Sequence, residues 1–141
     1  MNDLIPMQPQ TNTVAQYAQS LILAGEYCAY QRHDHKKAIR LFERAYIAAG
    51  RAKNIDLEFR SLFQLIQSSF AAEKHSAILA NGGKAEYLAI KTKNYGELAH
   101  ILRIKAQVLA TFGFCQESAR ELDRAKRFAE FAADDNPGLS G

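Results

Sequence analysis

The feature that most limits what this chain can fold into is an echo at a distance of 40 residues. Shifted by 40, "IAAGRAKN" (47–54) falls on "YLAIKTKN" (87–94), so that Ala49 meets Ala89, Arg51 meets Lys91, Lys53 meets Lys93 and Asn54 meets Asn94. The same shift carries Ala38, Phe42, Ala45 and Ala49 onto Ile78, Gly82, Ala85 and Ala89, and a second shift reaches Ser118, Leu122, Ala125 and Ala129. Ile22 falls on Leu62 and then on Leu102. A period of this length, with room for two helices, predicts a solenoid whose units bury their apolar faces against their neighbours.

Prolines stand only at positions 6, 9 and 137, so nothing of that kind interrupts a helix between them. Good helix formers dominate this interior, and no sustained alternation suggests strands. In "SARELDRAKRFAEFAA" (118–133), Leu122, Ala125, Phe128, Ala129 and Ala132 share one stripe while Arg and Glu occupy the rest. Helices are expected near 12–32, 35–51, 57–72, 76–92, 96–112 and 118–133, joined by short connections that force neighbours antiparallel. The fold expected is all-α: about three helical hairpins in a short right-handed superhelix over 12–133, with flexible tails at 1–11 and 134–141. At 141 residues the chain is one domain's worth.

"KKAIRLFERAYIAA" (36–49) and "ILRIKAQVLATFGFCQESARELDRAKRFAEF" (101–131) resemble the tetratricopeptide repeat. The first resembles a second helix, with the small-x3-large-x2-Ala spacing at Ala38, Phe42 and Ala45. The second resembles a complete repeat: Ala106 at the small position of the first helix, Gly113 at the turn, then Ser118, Leu122 and Ala125. The spacing is similar to the longer variant of about 40 residues. In the first two units the small position reads Glu26 and Ile66, with Gly25 next to the former.

"ANGGKAEY" (80–87) puts two glycines mid-helix, at a cost of about 2 kcal/mol relative to alanine. Two readings follow. The repeat frame predicts a turn near Glu73–His75; the alternative runs one long helix from 57 to 80 and turns at the glycines.

Candidate chemistry is sparse. His33 and His35 flank Asp34, which suits an N-cap better than a metal site lacking further ligands. His75, His100 and Cys115 have no nucleophile–base pattern around them, and Asn81-Gly82-Gly83 lacks the spacing of a phosphate loop. Neither an enzyme, a cofactor nor a metal is expected. The net charge of +3 is spread among acids, so nucleic acid is not expected either. Cys28 and Cys115 read as reduced thiols. No leader pattern or membrane span is visible, and a cytoplasmic location is expected.

Two features point to binding. The resemblance implies a concave groove formed by the first helices, displaying Tyr27, Tyr30, Arg60, Phe63, Gln67, Phe70, His100, Arg103 and Gln107. Such a groove suits a partly apolar, mildly acidic protein or peptide segment. The paired Lys and Asn that clamp a C-terminal carboxylate in some relatives are not seen there. Second, no charged residue occurs between Asp3 and Glu26, although a terminal solenoid helix should present a polar side. Val14, Tyr17, Ala18 and Leu21 therefore form a candidate docking face, for a homodimer or a larger assembly. The function expected is a non-catalytic interaction module: an adaptor, client chaperone or assembly factor. A regulatory module that controls a signalling enzyme or transcription factor, or a structural subunit of a large complex, are the alternatives.

Overall fold

The computed structural model describes residues 7–135, with side chains from 13 to 134. Residues 1–6 and 136–141, parts of the two expected tails, lie outside this range. The described chain is all helical and contains no strand. Its helices are α1 (Met7–Glu26), α2 (His35–Arg51), α3 (Ile55–Ala71), α4 (His75–Lys91), α5 (Tyr95–Thr111) and α6 (Cys115–Asp135). A π-helical turn, Tyr27–Gln31, continues α1. α1 thus starts five residues ahead of the expected position 12.

The turns show why the sequence echoes. Among the described residues, positive φ occurs at His33, Lys53, Glu73, Lys93 and Gly113, twenty residues apart each time. After α2, the Lys53 amide donates to the Gly50 carbonyl at 3.1 Å and the Asn54 amide to the Ala49 carbonyl at 3.0 Å. These are the paired bonds that close a helix around a left-handed residue. Lys93 and Asn94 repeat them onto Ile90 and Ala89, and Gly113 and Phe114 repeat them onto Ala110 and Leu109. Asn54 also caps the next helix, its Oδ1 accepting from the Leu57 amide at 3.1 Å. Lys53-Asn54 and Lys93-Asn94 recur in the sequence because each occupies one such turn.

The turn after α3 falls at Ala72–Lys74, as the repeat frame predicts. α4 then runs unbroken through Gly82 and Gly83, so the reading with one long helix from 57 to 80 is overturned. A β-carbon on either glycine would meet no atom within 4 Å.

The chain divides into two compact units, with the boundary between Glu73 and Lys74. In the first unit consecutive helices pack, and the core gathers Leu21, Ile22, Cys28 and Ala29 with Ala38, Phe42 and Ala45 of α2 and Leu65 of α3. A second cluster of Ala18, Ala48 and Ala49 lets α1 and α2 approach closely, with Val14 and Leu57 against it. In the second unit α5 is central: Leu98, Ala99, Ile101, Leu102, Ile104, Ala106 and Val108 are buried around most of its circumference. Ser118 of α6 ties to it by donating to the Ala106 carbonyl at 2.7 Å. Tyr95 lies beside Phe128 and Phe131, with ring centroids 6.2 and 4.7 Å away.

Polar groups in the second unit form a closed ring of alternating charge. Glu86 pairs with Lys105 (3.3 Å), Lys105 with Glu121 (2.8 Å), Glu121 with Arg124 (2.8 Å), and Arg124 returns to Glu86 (3.1 Å). Burial alone would raise the Glu121 carboxyl, but the hydrogen bonds from Lys105 and Arg124 outweigh it and hold the group below its usual range. Burial likewise works against the Lys105 ammonium, and Glu121 with Glu86 overcomes it and raises the group. The ring joins three helices with its charges satisfied, the condition under which partly buried ions do not destabilise a fold.

Candidate functional site

The strongest candidate lies in the first unit, where the end of α1 and its π turn face α3. Regular turns close with a bond from residue i to residue i−5, as Asn54 to Ala49 does. At the end of the π turn the corresponding bond, from the Asp34 amide to the Cys28 carbonyl (2.8 Å), reaches back six residues. The π turn therefore holds one extra residue. That single insertion displaces α1 by one position against the repeat frame, and Gly25 rather than Glu26 is the small residue. Phe42 packs on it: a β-carbon at Gly25 would come within 2.5 Å of the ring. The π turn is also an arrangement that recurs at functional sites.

Glu26, freed from the core, organises the face. Its carboxylate accepts two hydrogen bonds from Arg60, both at 3.1 Å, and one from Gln64 Nε2 at 2.8 Å. Gln64 Oε1 in turn accepts from the Tyr30 hydroxyl at 2.5 Å and from Gln67 Nε2 at 3.4 Å. Burial, then the charge of Glu26, raises the Tyr30 phenol against the opposing hydrogen bond to Gln64, so Tyr30 remains a neutral donor. Phe63 stacks on Phe59 at 5.8 Å along the same helix. Tyr27 and Tyr30 still leave about half their surface open, 56% and 51%. The arrangement holds the Tyr30 side chain beside a tethered guanidinium and two amides, and it contains no nucleophile activated by a base.

None of the nine expected groove residues is buried. Tyr27, Tyr30, Arg103 and Gln107 are exposed; Arg60, Phe63, Gln67, Phe70 and His100 are partly so. The structure joins Tyr30, Arg60 and Gln67 into one network. His100, Arg103 and Gln107 lie on α5 of the second unit. Burial, and then the charge of Arg103, pushes His100 below its usual value. Glu26 and Gln64, the two hubs, were missed by sequence reasoning. For Glu26 a signal existed, since it is the one charge between Asp3 and Arg32.

The proposed docking face needs correction. Ala18 and Leu21 are core residues, because the face of α1 that carries them packs on the alanines of α2. Val14 is half-buried and Tyr17 exposed. Both line a trough of about 270 Å³ together with Arg44, Ile47, Ala48 and Arg51.

Asp34 caps α2 by accepting from the Lys37 amide at 3.2 Å, and His35 Nδ1 lies 3.4 Å from Ser68 Oγ. Among the described residues no three His, Cys, Asp or Glu side chains come together as a metal site would require, and no helix is long and apolar enough to cross a membrane. No family model matches the chain, and neither a curated protein nor a solved structure matches it.

Proposed function

We propose that the chain is a non-catalytic protein-interaction module that captures a partner segment on the face built by Tyr27, Tyr30, Arg60, Gln64 and Gln67. The observation that carries this reading is the bridging of Glu26 to Arg60 and Gln64. Through Gln64 it fixes the half-exposed Tyr30 before any partner arrives and so lowers the entropy lost on binding. Tyr and Arg are also the residue types that dominate binding energy at protein interfaces. A left-handed residue recurring every twenty positions supports a tetratricopeptide-like solenoid of three hairpins as the scaffold; the role proposed on it is that of an adaptor, client chaperone or assembly factor in the cytoplasm.

Affinity capture from extract of the source cell tests it. Wild type is compared with a Tyr27→Ala/Tyr30→Ala variant of equal helicity, and peptides from any captured protein are titrated by calorimetry. A partner held by wild type, lost by the variant and represented by a binding peptide supports the reading. Equal capture by both forms, or capture by neither, rejects it.

A further inference from the structure

The trough between α1 and α2 stands apart from the tyrosine face and has an electrostatic character of its own. It is lined by Val14 and Tyr17 of α1 and by Arg44, Ile47, Ala48 and Arg51 of α2, of which Ala48 is buried and both arginines are exposed. Arg44 Nη2 donates to the Tyr17 hydroxyl at 2.6 Å, which ties the guanidinium to α1. Neither arginine has a carboxylate partner among the described residues, whereas Arg60 and Arg127 each have one and Arg124 has two. Nearby charge compensates only in part, through Glu58 of α3, whose carboxylate approaches α2 at Gly50, the residue before Arg51. α2 carries Lys36, Lys37, Arg40, Arg44 and Arg51 against Glu43 alone, and α1 contributes no charged residue from 13 to 25. An apolar trough with two unpaired arginines calls for an apolar anchor between two carboxylates.

Spacing identifies the segment that would present them. Arg44 and Arg51 are seven residues apart on one helix, or about 10 Å along its axis. A helix lying alongside matches that distance with acidic residues at i and i+7 and its anchor between them, against Ile47. A second copy of this chain is a poor occupant. Two-fold pairing sets a patch against itself. Here that would bring arginines onto arginines with no acid among the described lining residues. We therefore propose that the α1–α2 trough docks an acidic amphipathic helix of a partner protein.

The test uses the full-length protein and a fluorescein-labelled amphipathic helix of about five turns. The peptide carries one leucine anchor between two glutamates seven residues apart; a sister peptide has lysines in their place. Fluorescence anisotropy is read against wild type and an Arg44→Glu/Arg51→Glu variant, whose changes are at the surface. The expected result is binding of the glutamate peptide that weakens with salt, falls at least about tenfold in the variant, and is replaced there by binding of the lysine peptide. Failure of the glutamate peptide to bind wild type, or equal affinity for both proteins, overturns the proposal. So does a dimer of the wild type in sedimentation that Tyr17→Lys dissolves, because a second copy would then fill the trough.

Discussion

The ring of Phe42 occupies the space where a side chain on Gly25 would begin, with Cε1 only 2.5 Å from the position of a β-carbon. Phe42 is fully buried and cannot swing into solvent. Gly25→Ala therefore loses more by overpacking than the roughly 1 kcal/mol it gains in helix propensity. The expected net loss is about 1–2 kcal/mol in urea unfolding. Pairing it with Phe42→Leu should cost less than the sum of the two single changes, since the smaller side chain yields space.

The left-handed turn residues predict opposite signs for two glycine exchanges. Lys93 has φ of 61° and Gly113 of 88°. Lys93→Gly relieves a strain of about 1–2 kcal/mol, partly offset by a more flexible unfolded chain, for a gain of about 0.5–1 kcal/mol. Gly113→Ala should lose about 1 kcal/mol. Thermal unfolding of the two variants reads the contrast directly.

Serine to alanine should likewise change sign with position. Ser69 Oγ is buried without a hydrogen-bond partner, so Ser69→Ala is expected to stabilise by about 1 kcal/mol. Ser118, also buried, donates to Ala106, and its replacement should cost about 1 kcal/mol. Equal effects from the two would contradict the hydrogen-bond assignment.

The second unit sets the acid side of the pH response. His100 lies below its ordinary value of 6.5, so the unfolded chain binds the proton more readily and stability falls as pH drops below 6.5. Glu121 lies below 4.5; the stability it contributes is present above that value and disappears as pH falls through the lower folded one. Lys105 is raised above 10.5, and its contribution is lost only as pH rises through that folded value. Denaturant melts over a pH series should show a plateau with a two-step acid side. His100→Gln should remove the upper step and Glu121→Gln the lower. Unchanged acid profiles in both variants would refute the assignment.

Much of the helix order was legible in the sequence because it depends on local rules. Asn54 and Asn94 follow a left-handed residue wherever one helix must stop and another start, and such demands repeat as letters. The π turn was not legible, since a turn wider by one residue has no composition of its own. Missing it put Glu26 in the core frame and hid its role. The long-range bonds from Glu26 to Arg60 and Gln64 depend on α1 meeting α3, which no periodicity within either helix reports. Ala18 and Leu21 were misplaced for a related reason: on a helix with few charges, apolar spacing does not say which stripe faces inward.

The turns also limit how this chain can change in length. Each spends its three residues on ending one helix and starting the next, with no slack in the connection. An added residue placed there would break the closing bonds, so a viable insertion has to be taken up inside a helix as a widened turn. Tyr27–Gln31 has that form. Where other folds accept new residues in their loops, growth here rotates one part of a helix against the rest and turns different side chains outward, as the exposure of Glu26 to Arg60 and Gln64 illustrates. In such a scaffold a change of one residue in length is a way to make a new surface.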